Sequence, residues 1–188
     1  PPREIDERMP EPAYEETAQL RLCARSIWPF WSFRGRCPHD TLAGHKSTVW
    51  DIAFDAKGDH FVSASDDQTL LVWSCLPDPA ATTKTPAHKC RRVSTLSGSH
   101  PDTIFAVDWS AGGLIASGCA DDAIRVFRRS DAGTGAGADA AGEVFDLVHS
   151  TASAHAGDVN HVRWSGTQPS LLASTGDDGL VKIWRWNE

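Results

Sequence analysis

The stretch SASDDQTLLVW, residues 63–73, opens on a serine, carries an acid at its fifth position and closes on a tryptophan. The chain says nearly the same thing twice more, as SGCADDAIRVF at 117–127 and STGDDGLVKIW at 174–184. A histidine precedes each copy: His45, His100 and His155, at intervals of 55 residues. From histidine to closing ring the distances are 28, 27 and 29 residues. A nearly constant inner distance joined by longer connections marks a repeated supersecondary unit.

Within each unit the apolar residues recur with a period of two. VWDIAFD (49–55), TIFAVDW (103–109) and DVNHVRW (158–164) alternate or run apolar, as half-buried strands do. The turn-forming AKGD, SAGG and SGTQPS follow; then come HFVSAS, LIASGC and LLASTG, the acidic turn, and TLLVW, AIRVF and LVKIW. Three short antiparallel strands per unit result. A fourth is expected at RRVSTL (91–96) and EVFDLV (143–148).

This order of Gly-His or its equivalent, strands, Asp turn and a strand ending in Trp resembles the WD40 repeat. The resemblance implies an all-β propeller with one four-stranded blade per repeat. The usual period is about 40–45 residues. The excess here lies in SCLPDPAATTKTPAHKC (74–90) and RSDAGTGAGADAAG (129–142), the second a Gly/Ala tract expected to be mobile. Three repeats, at about 41–97, 98–150 and 151–188, follow an N-terminal segment of residues 1–40. That segment reads as the remnant of a preceding blade. In PAYEETAQLRL (12–22), Glu15 takes the Asp place and Arg21 the aromatic place; IWPFWSF (27–33) is interrupted by Pro29, and RCPHDTL (36–42) could supply an outer strand. A shifted reading frame or an unspliced intron would give such a segment too. Three blades do not close a ring, and the only methionine is Met9, so a truncated chain, completed by missing blades from elsewhere, is one expectation.

In this family the His, Ser, Asp and closing Trp form a hydrogen-bonded tetrad. The resemblance places one at His45, Ser63, Asp67 and Trp73 and another at His155, Ser174, Asp178 and Trp184. The third would be His100, Ser117 and Asp121, closed by Phe127, which has no indole N–H to donate. A Ser-His-Asp catalytic triad uses the same residue types, but it occurs once, in a cleft, with an oxyanion site. Threefold recurrence on structural strands argues for a strut, and no catalytic residue is assigned.

The segments TLAGHKSTVWDIAFDAKG, CADDAIRVF and DVNHVRWSGTQPSLLASTGDDG resemble the last repeats of one family, the WD40 subunit of the cytosolic iron–sulfur protein assembly machinery. DDAIRVF (121–127), with Phe where most WD40 repeats have Trp, carries that likeness most specifically. The family is a seven-bladed, non-enzymatic scaffold of the targeting complex. It helps deliver preformed clusters to cytosolic and nuclear apoproteins. The resemblance therefore implies protein partners, namely the other targeting-complex subunits and apoprotein clients, in cytoplasm and nucleus. It implies no cofactor or metal held by the propeller itself. A generic adaptor, of the ubiquitin-ligase or chromatin-complex kind, or a non-functional fragment would show the same repeats.

In propellers the loops entering the first strand, with those between the second and third, line one rim, the usual docking face. Here the candidates are Lys46, Thr48 and Trp50, then Asp102, Thr103 and Phe105, then Asp158 and Asn160. Trp50 and Phe105 lead because aromatic residues dominate interface hot spots. Packing between blades is the alternative for both, and simple solvation is the alternative for Lys46 and Asp102.

Composition narrows the remainder. The net charge of −7 argues against a direct nucleic-acid binder. No apolar run approaches the roughly 20 residues of a membrane span, so no membrane partner is expected. Five cysteines, an odd number with no CxxC pair, read as reduced thiols rather than a zinc site or disulfide framework. Cys119, in the strand before the Asp turn, reads as a buried inert thiol.

Overall fold

The computed structural model describes residues 41–77, 88–130 and 142–187. Within these residues eleven strands form three antiparallel sheets, each a blade. The first contains β1 (Val49–Phe54), β2 (His60–Ser65), β3 (Leu70–Pro77) and β4 (His88–Leu96) in that order. The second contains β5 (Ile104–Trp109), β6 (Leu114–Cys119), β7 (Ile124–Arg129) and β8 (Phe145–Thr151). The third contains β9 (Val159–Trp164), β10 (Leu171–Gly176) and β11 (Val181–Arg185). This is the all-β architecture of a partial propeller. The innermost strands β1, β5 and β9 lie beside one another, and β4 and β8 are outermost. Nothing is assigned to the expected elements within residues 1–40 or to most of the Gly/Ala tract, which lie outside the described residues.

Alternation along the strands gives each sheet two apolar faces, and these faces make the core. Val62, Ala64, Leu70 and Val72 of the first blade meet Ile104, Val107, Ile115 and Phe127 of the second. Ala106, Ala116, Ile124 and Val126 on the opposite face of the second blade meet Val159, Val162, Trp164 and Leu172 of the third. The second blade is thus a layer covered on both sides, and the hydrophobic stabilisation lies between blades. The close approach is visible at Gly118, where a Cβ would stand 2.8 Å from Val159 Cγ1 and 2.9 Å from the Val159 carbonyl oxygen.

Three expectations need correction. β4 begins at His88, earlier than the 91–96 read from the sequence, because the ladder with β3 continues outward to Pro77↔His88. That extension places Cys75 directly opposite Cys90, with Cα atoms 4.0 Å apart, and the two form a disulfide. The expectation of reduced thiols fails at this pair. Fifteen residues separate the two cysteines along the chain, and only the hairpin register makes them neighbours. β8 spans Phe145–Thr151, shifted outward from the expected 143–148.

Candidate functional site

The acidic turns hold the rim. In each, the residue after the motif Asp adopts a left-handed conformation: Gln68 at φ 66°, Asp122 at 65° and Gly179 at 72°. This tight reversal aims the preceding carboxylate back at the histidine loop. In the first blade, His45 Nδ1 lies 3.0 Å from Asp67 Oδ2, and the carboxylate also accepts from Lys46 N–H (2.7 Å), Thr69 N–H (3.0 Å) and Thr69 Oγ1 (2.6 Å). A carboxylate can only accept, so His45 carries its proton on Nδ1 and leaves Nε2 as an acceptor. Ser63 Oγ, 2.7 Å away, donates to Nε2 and receives Trp73 Nε1–H at 2.9 Å. A single directed chain runs from indole to carboxylate, with each buried polar group paired. Burial alone would raise the Asp67 carboxyl; the bonds from Thr69, Lys46 and His45 outweigh it and hold it at about 2.

The third blade repeats this geometry. His155, 1 % exposed, lies 2.8 Å from Asp178 Oδ1 and 2.7 Å from Ser174 Oγ, which receives Trp184 Nε1–H at 2.8 Å. The His155 bond, with support from Ala156 and Leu180 N–H, lowers the Asp178 carboxyl.

The second blade departs from the expected set. His100 Nε2 reaches Ser117 Oγ at 2.8 Å, but its buried Nδ1 has no partner among the described residues. Asp121 turns instead to Arg125, receiving Nη1 at 2.9 Å and Nη2 at 2.5 Å. The reason is the residue four positions on. Arg125 offers a planar two-donor cation, which outcompetes one neutral imidazole N–H; the first blade has Leu71 there. The third has Lys182, which bonds the Ala154 carbonyl at 2.6 Å. Arg125 lowers Asp121 to about 2. Burial, with Arg125 nearby, depresses His100 to about 3, so it stays neutral and packs on Phe127 with ring centroids 5.7 Å apart. Cys119 is buried in the same pocket; burial first, then the adjacent Asp121, raises its thiol to about 11, which makes it unreactive.

Above these struts sit the rim candidates. Asp66 accepts from Ser47 Oγ (2.7 Å) within its own blade and from Thr103 Oγ1 (2.6 Å) of the next, so Thr103 is a tie between blades. Those two hydroxyls, Thr103 first, lower the Asp66 carboxyl. Thr48 is exposed, and its carbonyl receives Asp66 N–H at 3.0 Å. Trp50 is 53 % exposed while its ring stands edge-on to half-buried Phe105 at 5.5 Å. It therefore spans the blade boundary and still presents half its surface to solvent. Lys46 and Asp102 are exposed. Asn160 Nδ2 donates to Asp177 Oδ1 at 2.5 Å. The Asp158 carboxyl is raised, by burial first and then by repulsion from Asp177, Asp122 and Asp102. These residues make the rim of the second and third blades acidic, bordered by the aromatic pair.

Several interblade contacts were not singled out from the sequence. Asp51 Oδ2 accepts Val107 N–H at 3.0 Å, and Asp108 Oδ2 accepts Trp164 N–H at 2.5 Å while Oδ1 lies 3.2 Å from Arg163 Nη1. Each carboxylate caps an otherwise unpaired N–H on the innermost strand of the next blade. Burial raises the Asp108 carboxyl. Between the first two blades, His60 Nε2 lies 3.2 Å from Glu143 Oε1, which also pairs with Arg129. An acid inside an apolar strand, as in VWDIAF and IFAVDW, was the available signal.

The described residues contain no cluster of three or more His, Cys, Asp or Glu side chains able to hold a metal ion. Among the described residues no helix is long and apolar enough to cross a membrane.

Three stacked blades, hydrogen-bonded struts and a polar rim define a repeat-built propeller. The family model "WD domain, G-beta repeat" matches residues 36–74, 86–128 and 146–185, and the chain belongs to the WD40-repeat family. Among curated relatives, it is 43 % identical over 160 residues to a probable cytosolic iron–sulfur protein assembly protein Ciao1 of Culex quinquefasciatus, covering 79 % of this chain and 44 % of that protein. The corresponding Aedes aegypti protein is 39 % identical, covering 78 % of this chain and 43 % of the relative. A Chlamydomonas reinhardtii protein described as a probable CIAO1 homologue is 38 % identical, with 77 % and 44 % covered. The chain thus spans less than half the length of these relatives.

Proposed function

We propose that this chain is the blade-forming part of a non-enzymatic scaffold for cytosolic iron–sulfur protein assembly. Its partners are then the other targeting-complex subunits and apoprotein clients, met in the cytoplasm and nucleus. The observation that carries this reading is the identity of 38–43 % over more than three quarters of the chain to proteins described as acting in that assembly. The side-chain chemistry supports it. The Ser-His-Asp sets are consumed in struts, with both histidine nitrogens paired in two blades. The buried thiol is held protonated. What faces solvent on the rim is a docking surface: Trp50 and Phe105, flanked by Lys46, Thr48, Asp102, Thr103, Asp158 and Asn160. Trp50 is the anchor, since a half-exposed indole held edge-on by a neighbour loses little freedom on binding.

The test is affinity purification of the tagged chain, followed by detection of targeting-complex subunits. The expected result is their recovery, with at least tenfold less after Trp50→Ser. Failure to recover them with a folded chain would overturn the iron–sulfur reading. Recovery that Trp50→Ser leaves unchanged would overturn the rim as the docking face.

A further inference from the structure

The stack of blades carries exposed apolar residues at both of its ends. On the third blade Leu180, Val181 and Ile183 are exposed. They hold the places of Ala123, Ile124 and Val126, which are buried in the second blade. On the first blade Phe54 is 55 % exposed, and Ile52 and Phe61 are half-buried. Their counterparts in the third blade, Trp164, Val162 and Leu172, are buried against the second. Apolar faces of this kind, contiguous and turned to water, mark interfaces.

The two end faces are the two halves of one joint. At each internal junction the face that carries Leu70 and Val72, or Ile124 and Val126, meets the opposite kind of face on the next blade. The third blade ends on the first kind of face and the first blade begins with the second kind. The polar ties match as well. At the first junction Asp66 accepts Ser47 Oγ of its own blade on Oδ2 and Thr103 Oγ1 of the next blade on Oδ1. Asp177 holds the place of Asp66 in the third blade. It is exposed, accepts Asn160 Nδ2 of its own blade on Oδ1, and has no partner for Oδ2 among the described residues. Thr48 holds the place of Thr103 in the first blade; it is exposed, and its hydroxyl has no partner among the described residues. The second blade has Ala120 in the acid's place, so this acceptor is absent from the second junction. A matched donor and acceptor thus stand at opposite ends of the stack. The inner strand agrees. Asp51 Oδ2 caps Val107 N–H, whose match in the first blade is Ile52 N–H. Asp51 Oδ1 already accepts that N–H at 2.9 Å, so the His161 that replaces the acid in the third blade leaves no cap missing there.

We propose that two copies of this chain associate head to tail, the third blade of each against the first blade of the other, and close a ring of six blades. Val181 and Ile183 of one copy then cover Phe54, Ile52 and Phe61 of the other, and Asp177 accepts the Thr48 hydroxyl. Six lies within the four to eight blades typical of propellers. A head-to-tail contact that closes gives a finite ring, and here closure removes both free faces at once. The joint is made by the ends of the stack and does not rest on the iron–sulfur reading, so either can fail without the other.

The test is the molar mass of the full chain by light scattering after size exclusion, with dissociation constants from sedimentation equilibrium. Expected is twice the mass of one chain, falling to a single chain after Ile183→Asp, a change at a position already exposed to water. Asp177→Lys and, separately, Thr48→Asp should each weaken the dimer about tenfold, the second by setting two carboxylates against each other. A chain carrying both changes should regain most of that affinity. The two positions belong to the third and first blades, so the rescue reports a contact between copies, and misfolding cannot produce it. A monomer throughout would overturn the proposal and leave the end faces to blades of another protein. Masses that grow without limit would rule out the closed ring, and a dimer indifferent to Ile183→Asp, or a double variant no tighter than the single ones, would rule out the head-to-tail joint.

Discussion

Removing the strut serine should cost about twice as much in the first blade as in the second. Ser63 Oγ is a hub: it donates to His45 Nε2 at 2.7 Å and accepts Trp73 Nε1–H at 2.9 Å, and it is 3 % exposed. Ser63→Ala leaves both partners without their bond in a buried place. Each such orphan costs about 1–3 kcal/mol, so the expected loss is about 3–4 kcal/mol. Ser117, fully buried, serves only His100 Nε2 at 2.8 Å, because Phe127 has nothing to donate. Ser117→Ala should therefore cost about 1–2 kcal/mol, from one orphan. Urea unfolding followed by circular dichroism measures both, with the m-value checked for constancy so that midpoints convert to stability. In a thermal scan the difference of about 2 kcal/mol corresponds to roughly 4–8 °C for a chain of this size. Equal losses for the two substitutions would refute the directed chain of hydrogen bonds, since they would mean that Trp73 gains nothing from its serine.

Three other outcomes are expected. Gly118→Ala puts a Cβ 2.8 Å from Val159 and should destabilise by about 1–3 kcal/mol, while Gly166→Ala, with no atom within 4 Å, should be near neutral in the same urea titration. His100 is held down to about 3 by burial, against 6.5 when free, so the unfolded chain binds its proton first. Stability from this group is complete above pH 6.5 and is lost as pH falls toward 3, with a slope approaching about 1.4 kcal/mol per pH unit; His100→Gln should flatten that slope, as measured by unfolding midpoints between pH 7 and 4. Reduction of the Cys75–Cys90 bond, or Cys75→Ser with Cys90→Ser, should lower stability by about 3 kcal/mol for a loop of 15 residues, and an unchanged melting temperature in reductant would refute that contribution.

The sequence alone determined the repeat, the strand order within each blade and the residues of two struts. These features are periodic: alternation marks a strand, and a fixed spacing from histidine to ring marks a hairpin whose turn returns to its starting loop. Side chains that belong to one hairpin can be read in this way because chain distance bounds spatial distance. Contacts between hairpins cannot. Arg125 takes Asp121 from His100 because of where the β7 side chain projects, and the composition of DDAIRVF does not reveal that competition. The Asp51 and Asp108 caps, the Thr103–Asp66 tie and the Cys75–Cys90 bridge likewise depend on how sheets stack or how far a ladder extends. The sharpest case is a pair of matched positions. Ile124 and Val126 of the second blade are each 3 % exposed against the third, whereas Val181 and Ile183, their counterparts in the third, are 70 % and 65 % exposed. The alternating pattern is the same in both strands; burial is a property of the neighbour, and only the tertiary structure says whether a neighbour is there.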